Sequence, residues 1–355
     1  MERPVTAVQR SRRTAPDDLA RPFLRVGVIG LGVGEHHAAA YLQHPRCRLV
    51  AVCDRSPEKR DAARSRFPEA AVAADAKELL TDPAIDLVSI ASFDDDHYTM
   101  ERMALEQGKH LFVEKPLCQS PDELRALHQA WKHHEGRVKL TSNLVLRAAP
   151  LYRWLKDQIL SGRLGELYAF DAEYLYGRVH KITEGWRKDV DNYSAMQGGG
   201  VHMMDLLFWL TGQRPTTVTT LGNRIATRET AFRYNDYMAA MLKCPSGLIA
   251  RITANFGCVH RHQHVLRIFG TKGTFIYDDA GARLHTSRDP AVPSTPVTLA
   301  ALPASKGDLI PEFVDAVLKE TDLTAETQSH FDVMSALIAS DQSVASGGTR
   351  EIEYL

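Results

Sequence analysis

Short, nearly continuous apolar runs separated by helical stretches fill the first 143 residues, and longer runs of alternating character follow. Runs at 24–29, 48–53, 70–73, 85–91, 109–113 and 138–142 read as strands. Apolar character on both faces marks strands of a parallel sheet covered above and below. The stretches between them, near 35–44, 57–67, 75–81, 96–107 and 121–135, read as helices. Strand and helix in alternation demand a doubly wound parallel sheet, because each parallel crossover must be covered. After 143 the rhythm changes. A helix near 149–161, with Pro150 close to its start and Gly162 at its end, leads into strands at 165–176, 214–227, 233–243, 247–256, 263–270 and 273–278. Their alternation suits an antiparallel sheet with one face left to solvent. Helices at 308–319 and 325–345 and a strand at 350–354 close the chain, and 287–306, rich in Pro, Ser, Ala and Thr, reads as an exposed connection. The expected class is therefore α/β: a doubly wound domain over 23–143, then an α+β domain with an open, mostly antiparallel sheet over 144–355.

Composition removes several classes of function. The 355 residues suffice for two domains. With 44 acids against 43 bases, no global field points to nucleic acid or to a membrane surface. No apolar run approaches a membrane span. Five scattered cysteines without a C-x-x-C suit a reducing cytoplasm rather than a disulfide framework. Residues 1–22, with five arginines and no hydrophobic core for a secretory signal, read as a flexible extension. The alternatives are an arm laid on a neighbouring subunit or, in a eukaryotic source, a transit peptide.

The first candidate chemistry lies in LRVGVIGLGVGEHH, residues 24–37. A buried strand runs into Gly30, Gly32 and Gly34 and then a helix start. Such a turn brings backbone N–H groups and a positive dipole end to a pyrophosphate. A strict G-x-G-x-x-G would need glycine at 35, where Glu35 stands. The second strand ends in Asp54, roughly 20 residues on, where a dinucleotide fold grips the ribose hydroxyls. Asp54 would otherwise be a turn carboxylate ahead of Ser56-Pro57. Arg55 beside it could face a 2′-phosphate, so NAD is the expected cofactor and NADP the alternative.

Further on come DLVSIAS with His97 after it, GKHLFVEKPL over 108–117, and GGGVHMMD over 198–205. With the glycine turn and Asp54, this set resembles the Gfo/Idh/MocA family of glucose–fructose oxidoreductases and inositol dehydrogenases over about residues 24–355. The resemblance implies a Rossmann domain followed by an open-sheet domain. It also implies cofactor contacts from Gly30, Gly32, Val33, Gly34, His37, Asp54, Arg55, Ser92, His97, Glu114 and Lys115, and it makes Lys115 the catalytic lysine. Lys115 follows the fifth strand, where ligands of open α/β sheets bind. A cis bond before Pro116 fits that turn.

His202 and Asp205 are three apart on one helix, so the carboxylate is expected to orient the ring. The family's motif has an aspartate four residues before the histidine; here that place is Gly198. Asp205 is the expected substitute, with Asp191 and Tyr193 as alternatives. Catalysis is thus expected from Lys115, His202 and Asp205. Trp186 and Arg187, within a basic cluster that includes Arg178, His180, Lys181 and Lys188, join Lys115 and His202 as candidate substrate contacts; the cluster suits an anionic sugar and equally an ordinary solvated loop. His260, His262 and His264 alternate, and without a supporting acid or cysteine pattern they read as a sheet face for subunit contact rather than zinc. Asp94–Asp96 reads as a helix N-cap rather than an ion site.

The expected protein is a cytoplasmic, NAD-dependent oxidoreductase acting on a secondary hydroxyl or ketone of a sugar, sugar derivative or cyclitol. It needs no metal, and a homodimer or homotetramer is expected through the C-terminal sheet. Two alternatives stand beside it: a glycosidase that retains NAD and works by transient oxidation and elimination, and a non-catalytic NAD-bound sensor or partner subunit.

Overall fold

The computed structural model describes residues 23–134 and 136–355. The N-terminal extension read over 1–22 lies outside them. The first sheet has six parallel strands, β1 (Leu24–Ile29), β2 (Cys47–Cys53), β3 (Ala71–Ala73), β4 (Leu87–Ile90), β5 (His110–Val113) and β6 (Leu140–Ser142), in the order β3-β2-β1-β4-β5-β6. Strand order reverses between β1 and β4, which opens a crevice at their carboxyl ends. The helices between them are α1 (Gly34–Gln43), α2 (Pro57–Arg66), α3 (Ala76–Leu80), α4 (His97–Glu106) and α5 (Pro121–Lys132). Local chemistry sets several starts. Ser120 and Glu123 form a capping box around Pro121 at α5, Asp75 and Glu78 do the same at α3, and Ser56 caps α2.

The second sheet has nine strands: β7 (Leu167–Leu175), β8 (Thr217–Asn223), β9 (Tyr237–Lys243), β10 (Ile249–Asn255), β11 (Gln263–Gly270), β12 (Thr274–Asp278), β13 (Gly281–His285), β14 (Thr295–Val297) and β15 (Arg350–Glu351). Their order is β14-β13-β12-β11-β7-β10-β9-β8-β15, and only the β7–β10 pair is parallel. β13 and β14 escaped the sequence pattern because they are short, and β14 carries Pro296, a residue confined to sheet edges. The exposed connection expected at 287–306 therefore contains an edge strand. The segments expected at 214–227 and 350–354 shorten to β8 and β15.

Along β7 burial alternates. Phe170, Ala172 and Tyr174 face the core, while Asp171 and Glu173 face outward and meet Arg251 and Arg267. Helix α6 (Pro150–Leu160), the short α7 (His180–Thr183), and α8 (Val201–Thr211) belong to this half. The last two helices return to the first sheet. From α9 (Ile310–Leu318), Ile310, Phe313, Val314 and Val317 share a core with Val26, Val28, Tyr41 and Phe112. From α10 (Thr324–Ser346), the Thr327 hydroxyl donates to the Leu140 carbonyl at 2.6 Å, and His330 Nε2 lies 3.0 Å from the Thr141 hydroxyl. No described helix is long and apolar enough to cross a membrane.

Candidate active site

A cleft of about 860 Å³ runs from the carboxyl ends of β1, β2 and β4 to the inner face of the second sheet. At its first end, Gly30 has φ +87°, and a Cβ there would sit 2.3 Å from the Ala91 carbonyl oxygen. Only glycine fits such a turn. The close helix-to-strand packing expected of a glycine at 35 falls to Gly34, which opens α1 against Val28 and Ala91. Glu35 points outward to Arg66 at 2.5 Å. Gly32 and Val33 line the cleft beside them.

Asp54 is tied into the same turn. Its Oδ2 accepts from Leu31 N at 2.7 Å and lies 3.4 Å from Lys59 Nζ, and its Oδ1 accepts from Ser56 N at 2.8 Å. A carboxylate has about four acceptor sites, which leaves one on Oδ1 for a ribose hydroxyl. Arg55 turns aside to Asp96 at 2.8 Å and lies over the Phe93 ring. Asp96 precedes α4 without a side-chain capping bond, so the triple aspartate is not the cap expected of it. Ser92 lines the cleft between these groups.

Two histidines expected at the cofactor lie behind it. His37 is fully buried, with Nδ1 2.9 Å from the Ser89 hydroxyl and Nε2 3.4 Å from Glu114 Oε1. Asn143 Nδ2 spends its two hydrogens on Glu114 Oε1 at 2.7 Å and the Lys306 carbonyl at 2.9 Å. His37 Nε2 is therefore the donor to Glu114. Burial alone would push the Glu114 carboxyl up, but these bonds and the neighbouring Lys115 charge hold it at about 2. His97 is also buried, its ring between the Pro116 carbonyl at 2.7 Å and the Ser92 carbonyl at 3.3 Å. Both rings brace the cleft wall rather than face its space.

At the other end, Lys115, followed by a cis peptide to Pro116, donates from Nζ to the Gly198 carbonyl at 3.0 Å. Gly198 belongs to a wide helical turn, Met196–Gly200, that runs into α8. His202, in the first turn of α8, lines the cleft at 8% exposure, and its buried Nδ1 has no hydrogen-bond partner among the described residues. Burial, and then the nearby Lys115, His264 and Lys306, hold this ring well below its ordinary pKa, so it is neutral. Across the cleft, Trp186 stacks on Phe93 with ring centres 4.8 Å apart.

The Rossmann-domain pattern of the NAD-binding oxidoreductase family Gfo/Idh/MocA matches residues 24–142, and the pattern of that family's C-terminal domain matches 152–276. The chain belongs to the Gfo/Idh/MocA family. The D-glucoside 3-dehydrogenase of Escherichia coli strain K12 is 27% identical over 281 residues, 74% of this chain and 77% of the relative. The inositol 2-dehydrogenase of Burkholderia multivorans is 25% identical over 253 residues, 70% of this chain and 72% of the relative. Among solved structures, the scyllo-inositol dehydrogenase of Lactobacillus casei with bound NAD(H) and scyllo-inositol shares the fold at a TM-score of 0.75 and 19% identity, covering 93% of this chain and 99% of that one.

Asp205 does not hold His202. Its carboxylate is 1% exposed and takes a bidentate contact from Arg147, with Nη2 at 2.6 Å and Nε at 3.1 Å. Helical spacing put the two side chains near one another, but Arg147, from the turn at 145–148, claims the acid. Asp191 is fully exposed and lies 3.5 Å from Arg233. At Gly198, where the family motif has an aspartate, a Cβ would lie 2.3 Å from the Tyr193 hydroxyl oxygen. The phenol fills the space of the absent side chain, and Arg187 Nε donates to it at 3.1 Å.

Two groups escaped the sequence reading. Asn143 and Lys306 both belong to the cleft wall. Lys306 ends the stretch read as an exposed connection, and no local pattern could have raised it. His262 and His264 were expected on a subunit-contact face. Both instead turn inward against Tyr174, and His264 lies beside His202. Among the described residues no cluster of three or more His, Cys, Asp or Glu could hold a metal.

Proposed function

We propose that this protein is an NAD-dependent dehydrogenase acting on a secondary hydroxyl, or the matching ketone, of a sugar or cyclitol. The observation that carries the reading is Lys115 Nζ, fixed 3.0 Å from the Gly198 carbonyl, in one cleft with the glycine turn and with the His202 ring, whose Nδ1 has no partner among the described residues. The dehydrogenase relatives in the family lend support. When bound, the nicotinamide supplies the hydride acceptor or donor. Gly30, Gly32, Val33 and the start of α1 would hold its pyrophosphate and Asp54 a ribose hydroxyl. Arg55, engaged by Asp96, and the carboxylate beside it argue against a 2′-phosphate, hence NAD over NADP.

Lys115 is the acid–base group, exchanging a proton with the substrate oxygen while the Gly198 carbonyl fixes its direction. His202, kept neutral, hydrogen-bonds the substrate and positions it. Glu114, anchored by His37 and Asn143, holds the backbone from which Lys115 projects. Lys115→Ala should leave NADH binding intact and lower turnover by roughly 10² or more. A panel of sugars and cyclitols assayed for NADH formation, with NADH affinity measured in parallel, tests this. Near-normal turnover in the variant would remove Lys115 from the chemistry, and aryl-glycoside release without net NADH would replace dehydrogenation with elimination.

A further inference from the structure

The substrate end of the cleft is crowded with cations that form no ion pair among the described residues. Arg178 lies over the Tyr176 ring at 4.6 Å, and Arg187 lies over Trp186 at 4.5 Å with its Nε spent on Tyr193. Lys306 and Lys115 complete the wall. Among the described residues none of these four makes an ion pair, although arginines elsewhere in the same half do: Arg214 with Asp332, Arg251 with Asp171, Arg283 with Asp278. The carboxylates near the cleft are committed. Glu114 is held by His37 and Asn143, Asp54 by Leu31 and Ser56, and Asp96 by Arg55. Asp94 alone faces Arg187. The charges feel one another: Lys306 is held below its ordinary pKa by burial first, with Lys115 and Arg178 adding to it and Glu114 opposing. Half-buried like charges without partners are costly unless a ligand supplies the opposite sign. The His202 ring, more than nine-tenths buried and with its Nδ1 lacking a hydrogen-bond partner among the described residues, borders the same space.

We propose that the substrate carries an anionic group, a sugar carboxylate or a sugar phosphate, seated between Arg178 and Lys306 with Arg187 at its flank. This rests on the dehydrogenase reading and narrows its substrate class. The pyrophosphate of the cofactor does not answer the arginines, because its place is the glycine turn at the opposite end. Charge-assisted bonds to a fixed anion are about twice as strong as neutral ones, so they can set specificity.

The test uses matched sets with NAD⁺: glucose, glucuronate and glucose 6-phosphate, and the same three forms of galactose and mannose. At least one acid or phosphate should exceed its neutral parent tenfold or more in kcat/KM, and the two arms tell carboxylate from phosphate. Arg178→Gln and Lys306→Gln should each cut that ratio at least tenfold, with Arg178→Lys restoring most of it. Calorimetry with the same sugars, with and without NADH, should show the same preference as binding. Lys115-dependent oxidation of neutral sugars with no anion preference would overturn the anion site and leave the dehydrogenase reading standing. Arg178-dependent anion binding without turnover on any sugar would do the reverse. Weaker NADH binding by Lys306→Gln, with the substrate ratio intact, would assign that charge to the cofactor and overturn its role here.

Discussion

Gly198 shows how far a single residue can be read. The sequence shows that the family acid is missing and offers Tyr193 only as an alternative to Asp205; the structure puts the Tyr193 phenol in that space. Tyr193, five residues upstream, reaches it only because the glycine-rich turn folds the chain back, and no local periodicity encodes that. The glycine turn at 30–34, by contrast, was legible, because positive φ and close approach have few chemical solutions. Restoring the acid should therefore fail. In Gly198→Asp the new Cβ meets the phenol at 2.3 Å, and overpacking of this kind costs about 1–3 kcal/mol. Pairing it with Tyr193→Ala should recover part of that loss, a non-additive result expected of residues in direct contact. Urea denaturation of the two single variants and the double variant measures it. Additive losses would mean that the phenol does not own the site.

Helix α8 makes the same point one level up. Its existence and end were plain from the apolar run and from Gly212, which takes the left-handed conformation after the last turn. Burial on nearly every side was plain as well. A helix buried all round cannot keep a bare carboxylate, so Asp205 had to have a partner. Helical spacing suggested His202, because the sequence gives no register between α8 and the turn at 145–148 that delivers Arg147. Asp205 is accordingly an architectural group. Asp205→Ala leaves the buried guanidinium with only the half-exposed Glu326 carboxylate, 3.7 Å away, and should cost about 3 kcal/mol, whereas Arg147→Met with Asp205→Leu should recover most of it. Neither change should move an inflection in the pH–rate profile, since the pair touches neither Lys115 nor His202. A shifted profile in a folded Asp205→Asn protein would return the carboxylate to the proton path.

At the scale of the whole molecule, the strand–helix alternation and the two-sheet plan were legible because periods of two and 3.6 residues survive in the chain, whereas strand order was not, because periodicity does not say which strands pair. The return of α9 and α10 onto the first sheet was not, because their apolar faces fit either half. Folding buries titratable groups in both halves, and their signs set the response to pH. His202, His264 and His330 are held well below 6.5, chiefly by burial, and His110 and His262 at about 4. Below pH 6.5 the unfolded chain binds protons that the folded chain refuses, so each such group removes stability on acidification, at most about 1.4 kcal/mol per pH unit. Asp341 works the other way. Burial raises its carboxyl to about 6, against the bonds from Ser194 and Gln197. Between pH 4 and 6 the folded state holds the proton more tightly, so this group adds stability as pH falls. Glu101, buried with its carboxyl well above the ordinary range, acts in the same sense as Asp341; the five histidines outweigh the two carboxyls, and the melting temperature should drop from pH 7 to pH 5. His330→Gln should flatten that drop and Asp341→Asn should steepen it, with melting curves at half-unit steps as the measurement. Equal slopes in the two variants, or slopes changed in the opposite order, would show that these groups do not control the acid response.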